Sequence, residues 1–256
     1  LVSREDDDVS AEVLEILRAE GITVHCNMAI TSAAQDESGA LTLRTSGPDL
    51  RGSHLLCAVG RVPNSHDLGL DKAGVRCDAH GYIQVDDELR TSAPEIYATG
   101  DVNGRGAFTH TSYNDYEIVA ANLLDGDRRR VSDRIPIYGL YIDPPLGRVG
   151  MTEREALAAA QASGSRVLIG KRPMTRVGRA RERGETRGFI KVLVDEETQR
   201  LLGAAILGVE GDEAIHGLAD VMYARAPYTV ISRAVHAHPT VSELIPTTLQ
   251  DLRPLA

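Results

Sequence analysis

The stretch Glu95-Ile96-Tyr97-Ala98-Thr99-Gly100-Asp101 decides the fold that the sequence predicts. A short apolar run that ends in a glycine turn is typical of a buried strand. The residues that follow predict a helix from about Thr109 to Leu124, and Gly81 to Val85 predicts a strand before it. Strand, glycine turn and helix in this order build a ligand-binding edge in α/β folds.

Upstream of this stretch, the apolar spacing in Asp8 to Glu20 predicts a helix, and Ile22 to Cys26 reads as a strand. The segments Ile30–Ala33 and Ala40–Arg44 flank turn residues and predict a hairpin. The apolar run Leu55 to Val59 predicts a further strand, buried in a sheet.

Downstream, the pattern of predicted helices and strands changes after a polar linker from Asp125 to Asp133. A separate α+β domain is expected from about Ile135. Thr152 and Glu155 form a capping box for a helix that ends near Gly164. The remaining elements predicted here are strands at Gly188–Val194 and Leu201–Leu207 and helices at Gly211–Ala224, Thr229–Val235 and Thr240–Leu252.

Composition limits the classes of function. The 256 residues carry a net charge of -9, which argues against nucleic acid or an anionic membrane surface as a partner, because both favour a basic face. The sequence shows neither the apolar length of a membrane helix nor a signal peptide, so a cytoplasmic protein is expected. Cys26, Cys57 and Cys77 are widely spaced and are expected to be reduced, partly buried thiols.

The segment His236-Ala237-His238-Pro239-Thr240-Val241-Ser242-Glu243 has three chemical interpretations. It could form a metal site, an acid–base pair, or two ordinary histidines before a Thr-x-x-Glu helix cap. A metal site needs a third converging ligand that the sequence does not indicate, so no metal is assigned.

Several motifs resemble those of the pyridine nucleotide-disulfide oxidoreductases, the family of dihydrolipoamide dehydrogenase, glutathione reductase and mercuric reductase. Thr91 to Asp101 is similar to the family's second FAD motif, and Val59 to Asn64 to its Gly-Arg-x-Pro-Asn loop. His236 to Glu243 resembles its active-site signature, and Tyr141 to Glu153 the entry to its dimerisation domain. The fold implied is α/β, with parts of NAD(P)- and FAD-binding Rossmann-like domains, followed by a C-terminal α+β dimerisation domain.

The resemblance assigns cofactor contacts to FAD and NAD(P)H. Asp101, after Gly100, would accept a hydrogen bond from the ribityl chain of FAD, and the helix start would face the flavin's pyrimidine end with backbone N–H groups. Gly60 and Ile30 would approach the nicotinamide nucleotide through their backbones. The helix start is formed by Ala107, Phe108, Thr109 and His110.

The resemblance also assigns His238 as the acid–base that serves the thiols and Glu243 as the residue that orients it. A thiol attacks as the thiolate, and a histidine can take its proton near neutral pH and return it to a leaving thiol. His236 has no such role and is expected to be structural.

The domains implied are the second half of an NAD(P)-binding domain at 1–65, the C-terminal part of an FAD-binding domain at 66–134, and a dimerisation domain at 135–256. A homodimer is expected, with the region Leu201 to Ala224 as its buried contact. The sequence lacks the family's Gly-x-Gly-x-x-Gly motifs and Cys-x4-Cys redox pair, so Leu1 would fall midway through the NAD(P) domain and the isolated chain would be inactive.

Alternative functions stay open at this point. The chain could be a non-catalytic dimerisation module, or part of a flavin reductase of the same fold with a quinone or other non-disulfide acceptor. The acceptor itself, a small-molecule or protein disulfide, a metal ion or a quinone, is not specified by the sequence. Neither is the choice between NAD and NADP, because the discriminating residue would precede Leu1.

Overall fold

The structure is a computed structural model that describes residues 1–255. It divides the chain into a middle unit, His25–Arg134, and a C-terminal unit that combines Leu1–Val24 with the chain from Ile135 onward. The helices are α1 (Asp7–Ala19), α2 (Thr109–Ala120), α3 (Glu153–Ser163), α4 (Gly178–Arg183), α5 (Gly211–Tyr223), α6 (Thr229–Ser232) and α7 (Leu244–Gln250). The strands are β1 (Ile30–Gln35), β2 (Leu41–Thr45), β3 (Leu50–Gly52), β4 (Ile137–Leu140), β5 (Leu146–Gly150), β6 (Val167–Pro173), β7 (Phe189–Asp195), β8 (Leu201–Leu207) and β9 (Arg253–Pro254).

The C-terminal unit is built on a six-stranded antiparallel sheet in the order β4-β5-β8-β7-β6-β9. Helices α1, α3 and α5 and strands β7 and β8 begin and end within a few residues of the sequence predictions, whereas α6 and α7 are shorter than predicted and α4 was not predicted. The capping box predicts the start of α3 correctly, since Thr152 Oγ1 accepts the N–H of Glu155 at 3.2 Å. The α+β character expected of this part of the chain is therefore confirmed.

Both faces of this sheet are covered. Side chains alternate along a strand, so Ile190 and Val192 pack with the face that carries α5 and α7, whereas Phe189 and Leu193 pack with the face that carries α1 and α3. The alternation places Lys191 on the α1 face, where its ammonium group contacts the carboxylates of Asp6 and Asp8. The apolar side of α5 is buried in its own unit, which corrects the expectation that the region Leu201 to Ala224 is free to bury against a partner.

The middle unit contains a small sheet, β1-β2-β3, and helix α2. The predicted hairpin is confirmed, because β1 and β2 pair antiparallel around a turn in which Asp36 Oδ1 accepts the N–H groups of Ser38 and Ala40. Val75, Ile83 and Ala98 form a compact apolar cluster beneath the segment that leads to Gly100.

Four strand predictions in the chain are wrong. Ile22 to Cys26 and Leu55 to Val59 adopt no strand, and Val59 is 91% exposed. A strand needs a neighbour for its N–H and C=O groups, and no segment of residues 1–255 pairs with either stretch. The runs around Ile83 and Tyr97 form only isolated bridges, Cys77 with Ile83 and Arg90 with Tyr97.

Two further observations concern residues 1–255. All three cysteines are free and exposed, so the expectation that these thiols are partly buried is wrong. Within the described residues, no helix has the length and apolar character needed to cross a membrane.

Candidate functional site

His238 and Glu243 form a hydrogen-bonded pair on the C-terminal unit. Nδ1 of His238 lies 2.9 Å from Oε2 and 3.1 Å from Oε1 of Glu243. The imidazole is 76% exposed, whereas the Glu243 side chain is 15% exposed. A carboxylate fixed in the protein thus holds one ring nitrogen and leaves the rest of the ring accessible. The peptide bond between His238 and Pro239 is cis.

The loop before α7 explains how Glu243 reaches the ring. Thr240 Oγ1 donates to the carbonyl of Ala237 at 2.8 Å and accepts the N–H of Glu243 at 3.2 Å. Helix α7 begins only at Leu244, so the reciprocal Thr-x-x-Glu cap does not form and the Glu243 carboxylate is directed to His238. The geometry therefore favours the acid–base interpretation of this segment over simple helix capping.

His236 forms no hydrogen bond with this pair among the described residues. Its Nδ1 atom is buried and has no hydrogen-bond partner among residues 1–255. The prediction that His236 is not one of the functional residues is compatible with this placement, and nothing in the contacts of its ring suggests proton exchange with His238.

The Gly100–Asp101 turn is the centre of the second group of predicted residues, in the middle unit. Residues Gly100–Asn103 form a short 3₁₀ turn, and Gly100 has a φ of +76°, a conformation that glycine adopts without strain. A Cβ at Gly100 would lie 2.8 Å from Ser112 Oγ, so helix α2 packs directly on the turn. The Asp101 carboxylate is half exposed and can accept hydrogen bonds from a ligand.

Arg61 connects this turn with the start of α2. Its Nη1 donates to Asp101 Oδ2 at 3.2 Å and to the carbonyl of Ala107 at 3.0 Å, so one nitrogen atom contacts both segments. Arg61 lies in the Gly-Arg-x-Pro-Asn loop, but the sequence assigns it no role, because nothing local indicates a contact with a residue forty positions later.

The start of α2 is shaped by backbone contacts. The Phe108 N–H donates to Thr111 Oγ1 at 3.2 Å, and that hydroxyl donates to the Phe108 carbonyl at 2.8 Å. The rings of Phe108 and His110 stack with centroids 5.2 Å apart. Helix α2 then begins at Thr109, as predicted, with the first-turn N–H groups that an α-helix cannot pair internally.

The two nucleotide candidates lie elsewhere in the middle unit. Ile30 is the first residue of β1 and its side chain is 60% exposed. Gly60 has a φ of +113° in an exposed segment, and a Cβ there would meet no atom within 4 Å. No hydrogen bond joins these two residues in the described part of the chain, although Arg61 links the segment after Gly60 to Asp101.

These groups fit a flavin in their chemistry. A hydroxyl-rich chain suits an accessible carboxylate such as that of Asp101, and a helix N-terminus suits the end of the flavin that becomes negative on reduction. The close contact at Gly106, where a Cβ would lie 2.7 Å from Thr111 Oγ1, keeps the backbone before the helix free of side-chain bulk.

A cluster of carboxylates in the C-terminal unit was not predicted. Asp6, Asp8 and Glu153 converge, and Lys191 Nζ lies 2.7, 2.6 and 2.5 Å from them. Burial alone would lower the pKa of Lys191, but hydrogen bonds to the three carboxylates outweigh it and raise that pKa. The positive charge among these three carboxylates is therefore the ammonium group of Lys191, and no metal ion is assigned to them.

A cavity of about 730 Å³ opens beside this cluster, and Arg4, Lys171 and Arg253 contribute to its wall. Its lining includes none of the predicted site residues. The cavity is consequently not the site that the motifs indicate.

Comparison with known proteins identifies relatives along most of the chain. A probable pyridine nucleotide-disulfide oxidoreductase, RclA of Escherichia coli (strain K12), is 36% identical over 94% of this chain and 54% of its own length. The mercuric reductase of Streptomyces lividans is 32% identical over 98% of this chain and 52% of its own length. Dihydrolipoyl dehydrogenase 3 of Haloarcula marismortui is also 32% identical, over 97% and 53%. The chain thus spans about half the length of these relatives.

A solved structure of one of these relatives is also similar to this chain. The HOCl-induced flavoprotein disulfide reductase RclA from Escherichia coli superposes with a TM-score of 0.89 and 34% identity, over 98% of this chain and 57% of that one. The predicted fold class is confirmed by this likeness together with the family matches.

Two profiles of the same protein family match this chain. The profile described as pyridine nucleotide-disulphide oxidoreductase matches residues 1–115, and that of the pyridine nucleotide-disulphide oxidoreductase dimerisation domain matches residues 137–249. Since these two matches account for most of the chain, it belongs to the pyridine nucleotide-disulphide oxidoreductase family.

Proposed function

We propose that the whole protein is an FAD-dependent NAD(P)H:disulfide oxidoreductase in which His238 is the thiol acid–base and Glu243 its orienting carboxylate. The observation that carries this proposal is the exposed imidazole whose Nδ1 is held by a largely buried carboxylate. An acid–base must meet its substrate and yet keep a fixed ring orientation, and this pair satisfies both requirements.

The chemistry of the pair follows from the hydrogen bond. With a proton on Nδ1 shared with Glu243, Nε2 is the nitrogen that takes the proton of an approaching thiol. The thiolate formed attacks a disulfide sulfur, the S–S bond breaks, and the leaving thiolate receives the proton back from Nε2. Glu243 stabilises the imidazolium between these two proton transfers.

The flavin contacts proposed are those of the middle unit. Asp101 accepts a hydrogen bond from the ribityl hydroxyls, Gly100 lets the backbone approach, and the α2 N-terminus after Ala107 stabilises negative charge on the ring system. FAD would supply the electron transfer between the nicotinamide and the disulfide. Gly60 and Ile30 are the proposed backbone contacts to NAD(P)H.

The domain assignment proposed is an NAD(P) part at 1–65, an FAD part at 66–134 and a dimerisation domain at 135–256. Of the proposed NAD(P) part, Leu1–Val24 belongs to the C-terminal unit in the structure. The match of residues 137–249 to a dimerisation domain supports a homodimer. We assign His238 to the active site of the partner subunit, and its exposure on the C-terminal unit supports this arrangement.

A disulfide is the acceptor we favour, since His238 and Glu243 serve thiol chemistry. A metal ion is the second candidate, because the relatives include a mercuric reductase and a solved Cu(II) complex of RclA. A non-catalytic dimerisation module would have no use for the exposed His238–Glu243 pair, so we rank it below both.

The test is an anaerobic titration of the whole protein with NADH and with NADPH. We expect a yellow protein with one FAD per chain, reduced by at least one nucleotide and reoxidised by a low-molecular-weight disulfide. A whole protein that binds no flavin, or whose flavin neither nucleotide reduces, would overturn the proposal. Reoxidation by Hg²⁺ or Cu²⁺ but by no disulfide would establish the second candidate instead.

A further inference from the structure

Asp115 of α2 is a buried carboxylate that holds the Gly100–Asp101 turn. The residue is 2% exposed. Its Oδ2 accepts the N–H of Gly100 at 2.9 Å and the Nδ2 group of Asn103 at 2.8 Å, and its Oδ1 accepts a hydrogen bond from Arg134 Nη2. One side chain therefore contacts both ends of the 3₁₀ turn.

The network around Asp115 is extended by its partners. Asn103 Nδ2 also donates to the carbonyl of Ala98 at 3.0 Å, and Arg134 Nε donates to Asn114 Oδ1 at 2.9 Å. A buried carboxylate is costly unless donors satisfy it, and here two of the three donors, Gly100 and Asn103, lie on either side of Asp101. Such a network fixes the position of the turn more firmly than packing alone.

The side chain of Asp101 is held only weakly by its own contacts. Its carboxylate contacts Arg61, whose side chain is 68% exposed, and a single exposed pair of this kind contributes little stability. The position of the Asp101 carboxylate consequently depends on the backbone of Gly100, which Asp115 and the Ser112 contact hold against α2.

We propose that Asp115 is a positioning residue for the flavin: it fixes the Gly100–Asp101 turn relative to the N-terminus of the same helix, which begins at Thr109. This inference rests on the proposed FAD-dependent function. The two groups assigned to the ribityl chain and to the pyrimidine end would then be held at one spacing by a single rigid element. A site ordered before binding loses less free energy when the ligand binds.

The test is a double-mutant cycle in the whole protein, with Asp115→Asn, Asp101→Asn and both together. FAD is titrated into flavin-free protein, and the dissociation constant and the visible flavin spectrum are recorded. Loss of a hydrogen bond to a charged group predicts that Asp115→Asn weakens FAD binding by about tenfold or more. The double variant should lose less affinity than the product of the two single effects, because both act through the same carboxylate.

Asp195→Asn is the matched control. Asp195 is also a buried carboxylate that holds a turn, with the N–H of Thr198 at 2.7 Å and the hydroxyl of Ser165 at 2.6 Å, but it lies in the C-terminal unit. This variant should lower the unfolding temperature and leave FAD affinity unchanged. If Asp115→Asn does not fold, Asn103→Ala replaces it in the cycle and should give a smaller loss of affinity in the same direction.

The outcomes separate the two proposals. A cycle in which the effects of Asp115 and Asp101 simply multiply, or unchanged FAD affinity in Asp115→Asn and Asn103→Ala, overturns the positioning role while leaving the flavin function intact. A whole protein that takes up no FAD in any variant, including the unaltered one, overturns the proposed function itself.

Discussion

The carboxylate of Glu243 contacts Nδ1 of His238 with both of its oxygens, at 2.9 and 3.1 Å, across a separation of five residues in sequence. Because a carboxylate accepts and does not donate, Nδ1 carries the proton and Nε2 is left as the basic nitrogen. In the proposed reaction Nε2 would therefore be the ring nitrogen that exchanges protons, and this assignment determines the expected effects of two substitutions.

Replacing His238 with glutamine removes the acid–base and keeps a polar side chain. In the whole protein we expect the thiol–disulfide half-reaction to slow by ~10²- to 10⁴-fold, the usual loss for a general acid–base. Reduction of the flavin by NAD(P)H should change little, because no thiol is involved. Rapid mixing measures the two half-reactions separately, and equal slowing of both would contradict the assigned role.

Glu243→Gln should give a milder loss in the same half-reaction. The amide still contacts the ring, but it no longer fixes the proton on Nδ1 or stabilises the imidazolium. A matched control is Glu182→Gln, since Glu182 is an exposed residue of α4 whose ion-pair partner is Arg179. The control should retain both half-reaction rates, and a loss in it equal to that of Glu243→Gln would argue against a specific effect on His238.

The His–Glu relationship was accessible from the sequence because both residues lie in one short segment that resembles a known motif. The same holds for the hairpin at Asp36 and for the cap at Thr152, whose contacts span four residues or fewer. Local chemistry determines such features, so local sequence predicts them.

The features that sequence reasoning missed depend on contacts between distant residues. Lys191 meets Asp8 across 183 positions, and Arg61 meets Asp101 across 40. Leu55 to Val59 has the composition of a buried strand, yet a strand exists only where a partner is available, and residues 1–255 provide none. The sequence pattern of a segment indicates its preferred secondary structure, but it does not indicate which distant residues contact it.

Hybrid dimers can test whether His238 acts on the partner subunit's flavin. A subunit with His238→Gln retains the flavin contacts, and a subunit with Asp101→Ala retains His238. If the site is shared between subunits, the hybrid has one complete site and recovers up to about half of the activity of the unaltered dimer, whereas each parent dimer has none. Activity of isolated hybrids no higher than that of the parents would place His238 and the flavin in the same subunit.

Gly100→Ala should weaken flavin retention through the turn. The added Cβ would lie 2.8 Å from Ser112 Oγ, and φ is +76°, so both packing and backbone oppose the substitution. Gly74→Ala is a close control in the same unit, because its φ is +71° but a Cβ would meet nothing within 4 Å. Both variants should lose about 1 kcal/mol of unfolding free energy from backbone strain, but only Gly100→Ala should lower the FAD content of the purified whole protein. Equal FAD content in the two variants would show that the turn tolerates displacement.

Lys191→Met should destabilise the protein in a pH-dependent way. The ammonium is buried and serves Asp6, Asp8 and Glu153, so its removal leaves unpaired buried charge and should cost about 3–5 kcal/mol of unfolding free energy at pH 7. Lys171→Met is the matched control. Lys171 contacts Asp8 at 2.5 Å but is one-third exposed, so its loss should cost about 1 kcal/mol or less.

The sign of the pH dependence follows from the carboxylates. Burial alone would raise the pKa values of Asp6 and Asp8, but hydrogen bonds and charge from Lys191, with Lys171 also acting on Asp8, hold both below the usual value of 3.8. In the unaltered protein their contribution is present above the unfolded pKa and is lost as pH falls through the lower folded pKa. Without Lys191, burial acts with less opposition, so the folded variant binds protons more readily and its deficit in unfolding free energy should shrink from pH 7 to pH 5. Urea unfolding of both proteins across this range measures the deficit, and a deficit that stays constant or grows as pH falls would contradict the role of Lys191 as the counter-charge.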